Sequence, residues 1–325
     1  MSQRIQFSQH GGPEVLEQVD APVAAPGVGE VRVRNHAIGL NFIDTYFRGG
    51  LYVPPSLPSG LGTEGAGEVE AVGEGVTDFQ VGDRVGYATG PLGAYGEHHS
   101  LPARHLVKLP DSISYEQAAA VMLKGLTTQY LLRQVYQLKA GDTVLFHAAA
   151  GGVGSIACQW AKAIGAQLIG VVGSAEKAER AKSLGAWATI DRSQEDIVQR
   201  VLELTDGKKC PVVYDSVGKS SWETSLDCVA PRGLLVSFGN ASGAVTGVNL
   251  GVLAQKGSLY VTRPVLAGYA DTAERLRAMA TELFDMIASG KIKVEIGQRY
   301  ALSDAAEAQR QLSAGKTTGS TILLP

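Results

Sequence analysis

A glycine-rich segment in the middle of the chain has the residue types and spacing that bind a dinucleotide. Ala149, Gly151 and Gly154 form an A-x-G-x-x-G pattern between an apolar run and a segment with helical spacing. Small residues in such a turn let a pyrophosphate approach the backbone N–H groups at the positive end of a helix. Ala149 stands at the first glycine position, where a turn with negative φ tolerates a methyl group. We therefore predict cofactor contacts at Ala149, Gly151, Gly152, Val153 and Gly154; a glycine-rich turn without a ligand is the alternative.

The end of the next predicted strand indicates which dinucleotide is bound. An NAD site carries an Asp or Glu about 20 residues beyond the glycines to bind the ribose hydroxyls, whereas Gly173 and Ser174 stand here. Lys177 supplies positive charge for a 2′-phosphate, and Arg192 either adds a second positive charge or stacks on the adenine face, so we expect NADPH rather than NADH. A solvated lysine is the alternative for Lys177, and the acidic Asp191 argues against the preference.

The order of predicted elements indicates an α/β protein with two regions of different texture. Residues 1–120 are rich in Gly and Pro and contain short alternating runs at 30–34, 67–72 and 83–87, which predict a small irregular β-barrel. From Tyr115 onward helices and strands alternate, as in a doubly wound parallel sheet. The predicted helices lie at 115–136, 154–164, 175–184 and 272–289, and the predicted strands at 143–147, 168–172, 188–191, 211–215, 234–237 and 320–324.

Composition and charge argue against several other classes of protein. A chain of 325 residues with 45% hydrophobic content can bury two moderate cores. The formal net charge is −3 and no basic run occurs, so a nucleic-acid partner is not expected. Cys158, Cys210 and Cys228 form no C-x-x-C pair, which favours a reducing compartment over a disulfide framework. No apolar segment reaches the ~18 residues of a membrane helix, and we expect a soluble, cytoplasmic protein.

Beyond the glycine turn, the segment 141–154, with Gln159 and Lys162 at their spacing, resembles the signature of a known family. This family is the quinone oxidoreductase and zeta-crystallin group of zinc-free medium-chain dehydrogenases/reductases. The resemblance extends over essentially the whole chain, through motifs at 10–16, 39–46, 62–67, 82–85 and 214–218.

The resemblance implies an architecture and an assembly. It implies a GroES-like β-barrel catalytic domain at 1–124 and 266–325, a Rossmann NADPH-binding domain at 125–265, and an active-site cleft between the two. It also implies a homodimer that forms through the edge of the Rossmann sheet, near Leu259 to Val261.

The same motifs argue against a metal site. The zinc-using relatives place a cysteine in the loop after the early strands and a histidine in a Gly-His-Glu motif. Residues 38–46 contain no cysteine, and Thr63 stands at the histidine position of Gly62-Thr63-Glu64. The six histidines are scattered without the spacing of metal ligands, so we expect no metal.

Without a metal, the favoured acceptor is one whose negative charge after reduction needs little stabilisation by the protein. Reduction of a ketone needs a Lewis acid or a strong proton donor, whereas a quinone becomes a delocalised phenolate, for which placement and a few hydrogen bonds suffice. By the resemblance, the residues around the nicotinamide and the quinone are Asn41, Asp44, Tyr46, Tyr52, Thr63, Thr127 and Tyr130. Loop packing is the alternative for the tyrosines, and a capping role is the alternative for Asp44.

The resemblance also implies cofactor contacts in the second half of the chain. Phe238, Gly239 and Asn240 resemble the segment beside the nicotinamide, and Lys316 resembles a basic group that closes on the phosphates. A solvated lysine is the alternative for Lys316, and Arg263 is a further candidate for closure.

Three functional hypotheses follow from these observations. The first is an NADPH-dependent quinone reductase, and the second is an NADPH-dependent reductase of enone or alkenal double bonds. The third is an NADPH-regulated binding protein with little turnover. The sequence separates the first two poorly, because both need the same cofactor and a polarised acceptor oxygen.

Overall fold

The structure is a computed structural model that describes all of residues 1–325. The strands are β1 (Ser2–Phe7), β2 (Glu17–Ala21), β3 (Glu30–Leu40), β4 (Ser59–Gly60), β5 (Gly65–Val72), β6 (Arg84–Tyr87), β7 (His98–Pro102), β8 (Val107–Lys108), β9 (Thr143–His147), β10 (Gln167–Val172), β11 (Ala188–Asp191), β12 (Cys210–Asp215), β13 (Val229–Ser237), β14 (Tyr260–Thr262), β15 (Ile296–Ala301) and β16 (Ser320–Leu324). The α-helices are α1 (Phe42–Arg48), α2 (Tyr115–Tyr130), α3 (Gly152–Ile164), α4 (Ala175–Ser183), α5 (Ile197–Leu204), α6 (Trp222–Cys228), α7 (Gly251–Gln255), α8 (Leu266–Tyr269), α9 (Ala273–Ala288) and α10 (Ala305–Ser313). None of the helices is long and apolar enough to cross a membrane.

The chain forms two compact units. The β-rich unit contains Met1–Leu126, Tyr269–Ala288 and Val294–Pro325, and the parallel-sheet unit contains Thr127–Gly268 and Ser289–Lys293. The assignment of a catalytic role to the first unit and a cofactor-binding role to the second stays a prediction.

The parallel-sheet unit confirms the predicted doubly wound fold. Its six strands lie in the order β11-β10-β9-β12-β13-β14, and every neighbouring pair is parallel. This is the Rossmann order, in which the chain reverses its direction across the sheet between the first and fourth strands, here β9 and β12. Ligands of such sheets bind at the carboxyl ends of the strands beside this switch point. One buried core, which includes Leu145, Ile169 and Val213, supports the sheet.

The β-rich unit is built around one long strand. β3 pairs with β5 along residues 31–38, with β7 along residues 30–34 and with β16 along residues 38–40, and β5 continues the sheet to β6 and β8. A second, three-stranded sheet has the order β2-β1-β4. The core of this unit includes Phe7, Val33, Leu40 and Tyr95, all with at most 1% of their surface exposed.

The structure differs from the sequence-based expectations in several elements. Helices α5 to α8 and α10 and strand β15 were not predicted, and β13 begins at Val229 rather than at residue 234. The segment 42–48 forms α1, which was not predicted, because seven residues are too few for helical periodicity to show. α2 ends at Tyr130 and continues as one π-helical turn, Leu131–Val135, where a helix to residue 136 was predicted. α3 begins at Gly152 rather than at residue 154.

Candidate active site

The glycine turn lies at the carboxyl end of β9, beside the switch point of the parallel sheet. Gly151 has an extended backbone and precedes α3, so the N–H groups of Gly152, Val153 and Gly154 fall in the first helical turn. A helix offers these N–H groups no internal partner. The turn therefore presents backbone donors at the positive end of a helix dipole, which suits the phosphates of a nucleotide.

Gly154 allows α3 to begin directly against this turn. A Cβ atom at position 154 would lie 2.4 Å from the carbonyl oxygen of Ala148 and 2.6 Å from the Cα of Ala149. Both are backbone atoms of the turn, so neither can rotate away. The close contact between α3 and the turn therefore requires glycine at position 154, as the predicted nucleotide-binding turn does.

Ala149 is accommodated by a second glycine on the neighbouring strand. A Cβ atom on Gly170 of β10 would lie only 2.6 Å from the Cβ of Ala149. Gly170 therefore leaves the space that the Ala149 methyl group fills. The left-handed backbone of the turn lies one residue earlier, at Ala148 with φ of 56°, and Ala149 keeps the negative φ that was predicted.

A positive charge lies beside the residue that follows β10. The Nε and Nη2 atoms of Arg192 are each 3.5 Å from where a Cβ on Gly173 would stand. The Oδ1 atom of the neighbouring Asp191 accepts hydrogen bonds from the N–H and hydroxyl of Ser193 at 3.0 and 2.8 Å. The position where an NAD-specific site carries a carboxylate thus borders a guanidinium.

Ser174 and Lys177 belong to the start of the following helix. Ser174 is the N-cap of α4, and its hydroxyl accepts a hydrogen bond from the Lys177 N–H at 3.3 Å. Lys177 is half-buried in the first turn of that helix. The two residues therefore have a local structural role in addition to the predicted cofactor contact.

A buried hydrogen-bond network holds the loop after β12 at the switch point. Asp215 accepts four hydrogen bonds: two from backbone N–H groups of the following turn, at 2.7 and 3.1 Å, and two from the hydroxyls of Ser221 and Ser225, at 2.6 Å each. The Ser225 oxygen lies 3.0 Å from Nε2 of His147 at the end of β9. Because the Ser225 proton goes to the carboxylate, His147 donates in this contact.

The charges of this network follow from its surroundings. Burial lowers the pKa of His147, which favours the neutral ring. Burial acts to raise the pKa of Asp215, but the hydrogen bonds from the Ser221 and Ser225 hydroxyls and the Gly218 N–H act against burial, and the net pKa of this carboxyl is lowered. Asp215 is therefore an ionised strand-end residue that fixes the loop between β12 and α6.

The segment after β13 passes close to that same loop. A Cβ atom on Gly239 would lie 2.3 Å from the carbonyl oxygen of Ser216, so only glycine fits. Phe238 packs its ring 5.6 Å from the ring of Phe146. Arg263 donates to the carbonyl oxygens of residues 237 and 239 at 2.8 and 3.1 Å, which gives it a role in holding this segment.

The remaining predicted site residues, catalytic Thr127 and three cofactor contacts, are distributed over both units. Thr127 is half-buried and Tyr130 is buried in the last turn of α2, at the start of the parallel-sheet unit, and Asn240 is half-buried in the loop after β13. Lys316 is exposed and belongs to the β-rich unit, before β16.

In the β-rich unit, Asn41 and Asp44 form the start of α1. Oδ2 of Asp44 accepts hydrogen bonds from the Asn41 N–H and from the Tyr95 hydroxyl, both at 2.8 Å. Asp44 is fully buried, and its Oδ1 has no hydrogen-bond partner. Burial, opposed by these hydrogen bonds, raises the pKa of Asp44 to about 7. The capping role that the sequence left as an alternative is thus present.

Two residues that sequence reasoning missed complete this cluster. Glu64 has no exposed surface, and its Oε2 accepts hydrogen bonds from Nδ2 of Asn41 at 2.7 Å and from Nζ of Lys124 at 3.1 Å. Its Oε1 accepts from the Leu123 N–H at 2.6 Å. One feature of the sequence could have indicated this cluster: Lys124 is the only charged residue between positions 117 and 132, and a lone charge in an apolar helix needs a buried partner.

The predicted substrate tyrosines form an aromatic group at the carboxyl end of α1. The rings of Tyr46 and Tyr52 are 5.4 Å apart and meet edge to face, and Phe47 meets Tyr52 at 5.6 Å in the same way. All three are half-buried, as is Thr63. Half-buried aromatic rings of this kind are suited to packing against a planar ligand.

The acidic, histidine and cysteine side chains are not clustered. No group of three or more His, Cys, Asp or Glu residues lies together as ligands would. Glu64, the acid of the Gly62-Thr63-Glu64 motif, is instead bound by three hydrogen-bond donors.

We expect the substitution Gly154→Ala to destabilise the cradle. The added methyl group would overlap backbone atoms of the turn, and overpacking of this kind costs about 1–3 kcal/mol. Thermal unfolding should show a lower midpoint for this variant. Gly151→Ala is the matched control, because its methyl would lie 3.2 Å from the same Ala148 oxygen. Equal midpoints for the two variants would contradict the packing argument.

We expect Asp44→Asn to remove a pH dependence of stability. The pKa of Asp44 is raised from 3.8 to about 7 on folding, so the unfolded chain releases this proton first. Stability of the wild type should fall as pH rises from 4 to 7, by up to roughly 4 kcal/mol for a shift of this size. Above pH 7 both states are ionised and the slope disappears.

The measurement for Asp44 is the urea midpoint of wild type and variant across this pH range. The advantage of Asp44→Asn should grow from pH 4 to pH 7 and then remain constant. Asp20→Asn, at an exposed position, is the control and should show no such trend. A constant difference between wild type and Asp44→Asn would refute the raised pKa.

Comparison with known proteins places both units in one family. Residues 27–111 match the model of the alcohol dehydrogenase GroES-like domain, and residues 152–282 match that of the zinc-binding dehydrogenase. The chain is 72% identical to a quinone oxidoreductase of Pseudomonas aeruginosa, with all of both chains covered. It is 43% identical to a 2-haloacrylate reductase of a Burkholderia species, over 97% of this chain and 96% of the relative.

A solved structure supports the same assignment. The crystal structure of Escherichia coli quinone oxidoreductase complexed with NADPH superposes with a TM-score of 0.98 at 59% identity, covering 99% of this chain and 100% of the other. The GroES-like domain and the Rossmann sheet that the sequence implied are confirmed. The chain therefore belongs to the quinone oxidoreductase family of the medium-chain dehydrogenase/reductase superfamily.

Proposed function

We propose that this protein is an NADPH-dependent quinone reductase. The observation that carries the proposal is the glycine turn at the switch point of the parallel sheet, with Arg192 beside Gly173. The quinone acceptor is supported by the name shared by the relatives with 59–72% identity, each aligned over its full length.

The residues of the parallel-sheet unit fit the cofactor. The N–H groups of the turn, at Gly152, Val153 and Gly154, would bind the pyrophosphate, with Ala149 and Gly151 shaping the approach. Ser174, Lys177 and Arg192 would bind the 2′-phosphate, because a hydroxyl and two cations complement a dianion. Tyr130, Phe238, Gly239, Asn240 and Lys316 complete the proposed cofactor contacts.

When bound, NADPH supplies a hydride to the acceptor. The protein's contribution is to hold a planar quinone and to place donors at the oxygen that becomes negative. Asn41 suits this role because its amide carries two N–H groups, of which one is donated to Glu64. Tyr46 and Tyr52 provide ring faces for the quinone, and Thr63 and Thr127 add hydroxyls to the proposed substrate site.

The proposed chemistry needs no metal and no dedicated general acid. Negative charge on a reduced quinone is delocalised over the ring, so neutral hydrogen bonds are enough to stabilise it. Asp44 is proposed as part of the site, and its Oδ2 accepts hydrogen bonds from the Asn41 N–H and the Tyr95 hydroxyl. Its proposed role is therefore to hold the start of α1, and with it Asn41, in place.

One relative favours a second candidate function. The 43% identical protein named 2-haloacrylate reductase acts on an acceptor of a different class. Reduction of an activated double bond uses the same hydride and a polarised carboxyl or carbonyl oxygen, which the Asn41 amide and the tyrosine hydroxyls would also bind.

We also propose that the protein is a homodimer in a reducing, cytoplasmic environment. β14 is a terminal strand of the parallel sheet, and it exposes 65% of Tyr260 and 37% of Val261, with 57% of Val265 nearby in the chain. An apolar sheet edge of this kind is suited to pairing with a second copy. The three cysteines are free and buried, and burial raises the pKa of each thiol to about 12, as expected of unreactive thiols.

Steady-state turnover with a panel of acceptors tests the proposed reaction. NADPH oxidation should be fast with para-benzoquinone and a naphthoquinone, slow with an α,β-unsaturated aldehyde, and unchanged by a chelator. Turnover with the aldehyde alone would establish the double-bond reductase instead. Absence of turnover with every acceptor would reject both enzymatic functions.

Charge-removing variants test the proposed cofactor preference. Lys177→Gln and Arg192→Gln should each reduce the ratio of kcat/KM for NADPH over NADH by about tenfold, because a charge-assisted hydrogen bond contributes roughly 1.5 kcal/mol. Lys182→Gln removes the same charge from α4 at an exposed position that pairs with Glu179, and it should leave the ratio unchanged. An equal effect of all three variants would indicate a general charge effect rather than phosphate recognition.

A further inference from the structure

We propose that Glu64 is a positioning residue that sets the orientation of the Asn41 amide and thereby the donor that Asn41 offers to its ligand. This inference rests on the proposed function, in which Asn41 contacts the quinone or the nicotinamide. Glu64 itself touches neither in this proposal, and its effect on the reaction passes through Asn41.

The carboxylate of Glu64 is held from three directions. Its Oε1 accepts from the Leu123 N–H, and its Oε2 accepts from Lys124 and from Asn41. Lys124 has 8% of its side chain exposed and Glu64 has none. Because the Leu123 donor belongs to the backbone of α2, the position of the carboxylate is fixed, and the carboxylate in turn orients the Asn41 amide.

Strand β3 is shaped to admit this carboxylate. A Cβ atom on Gly39 would lie 2.0 Å from Oε2 of Glu64 and 2.4 Å from the carbonyl oxygen of Ala119. Any side chain at position 39 would therefore displace Glu64 from the contact that it makes with Asn41. Gly39 is two residues before Asn41, so one short stretch of chain provides both the space for the Glu64 carboxylate and the amide that binds it.

The chemistry of the contact decides the amide orientation. A carboxylate only accepts hydrogen bonds, so the NH2 group of Asn41 must face Glu64 and its carbonyl oxygen must face away. The second N–H of the amide keeps a fixed direction as a result. Stability alone does not explain such an arrangement, because a buried ion pair contributes little compared with well-packed apolar residues.

The substitution Glu64→Gln should turn the Asn41 amide over. A glutamine has one acceptor oxygen for the three donors that Glu64 binds. When this oxygen faces the fixed Leu123 N–H, the glutamine NH2 faces both Asn41 and Lys124. Asn41 must then present its carbonyl oxygen to residue 64, and its donor is lost to the ligand. The substitution keeps the volume at position 64, but it also removes the negative charge that faces the buried Lys124.

A double-mutant cycle on kcat/KM for a benzoquinone tests the inference. Asn41→Ala and Glu64→Gln should each lower kcat/KM by about tenfold or more, and the double variant should be within about threefold of Asn41→Ala, because Glu64 acts only through Asn41. Glu68→Gln, in the exposed pair with Arg34 on β5, is the matched control and should change kcat/KM by less than about twofold.

The outcomes separate this inference from the function on which it rests. If Asn41→Ala leaves kcat/KM unchanged, the proposed role of Asn41 fails and the positioning role of Glu64 fails with it. If Asn41→Ala is impaired but Glu64→Gln is not, or if the two effects multiply in the double variant, only the positioning role of Glu64 is overturned.

The side-chain amide of Asn41 gives a readout without cofactor or turnover. In the NMR spectrum of the cofactor-free wild type, the two N–H signals of Asn41 should be distinct and protected from exchange with water, since one donates to a buried carboxylate. Glu64→Gln should shift these signals and increase their exchange. An Asn41 amide that exchanges rapidly in the wild type would overturn the proposal even if Glu64→Gln fails to fold.

Discussion

The architecture of the cofactor cradle depends on the absence of a side chain at Gly154. A Cβ atom at this position would lie 2.4 Å from the Ala148 oxygen, so only glycine lets α3 begin directly against the turn that follows β9. The close start of the helix directs its first N–H groups to the carboxyl edge of the sheet, where the strand order reverses between β9 and β12. Gly170 serves the same geometry from the neighbouring strand, because it leaves space for the methyl group of Ala149.

Buried carboxylates then fix the polar groups around the sites in each unit. Asp215 is bound by four donors and secures the loop that follows β12, while Glu64 is bound by three and orients Asn41. Asp44 differs, since one of its oxygens has no partner and its pKa is raised to about 7. Hydrogen-bond directions that are set before a ligand binds need no reorganisation afterwards, which is the main requirement for stabilising charge on a quinone.

The sequence predicted the parallel sheet well because its signals are local. The alternating strands and helices and the A-x-G-x-x-G turn each lie within a short stretch of chain, whereas the terminal strand near residues 259–261 was expected from the family resemblance. α1 was missed because its seven residues depend on the buried partners of Asn41 and Asp44 rather than on periodicity. The contact between Glu64 and Lys124 joins residues 60 positions apart, and no spacing rule brings them together. The roles of the individual site residues stay predictions, since they concern ligands rather than the fold.

Isothermal titration of the purified protein with NADPH and with NADH tests the central claim most directly. The structure predicts saturation at one NADPH per chain, with binding at least about tenfold tighter than that of NADH because of the cations beside Gly173 and Ser174. Binding of both nucleotides with equal affinity would contradict the proposed phosphate recognition. Absence of NADPH binding would contradict the cradle itself and the reductase function built on it.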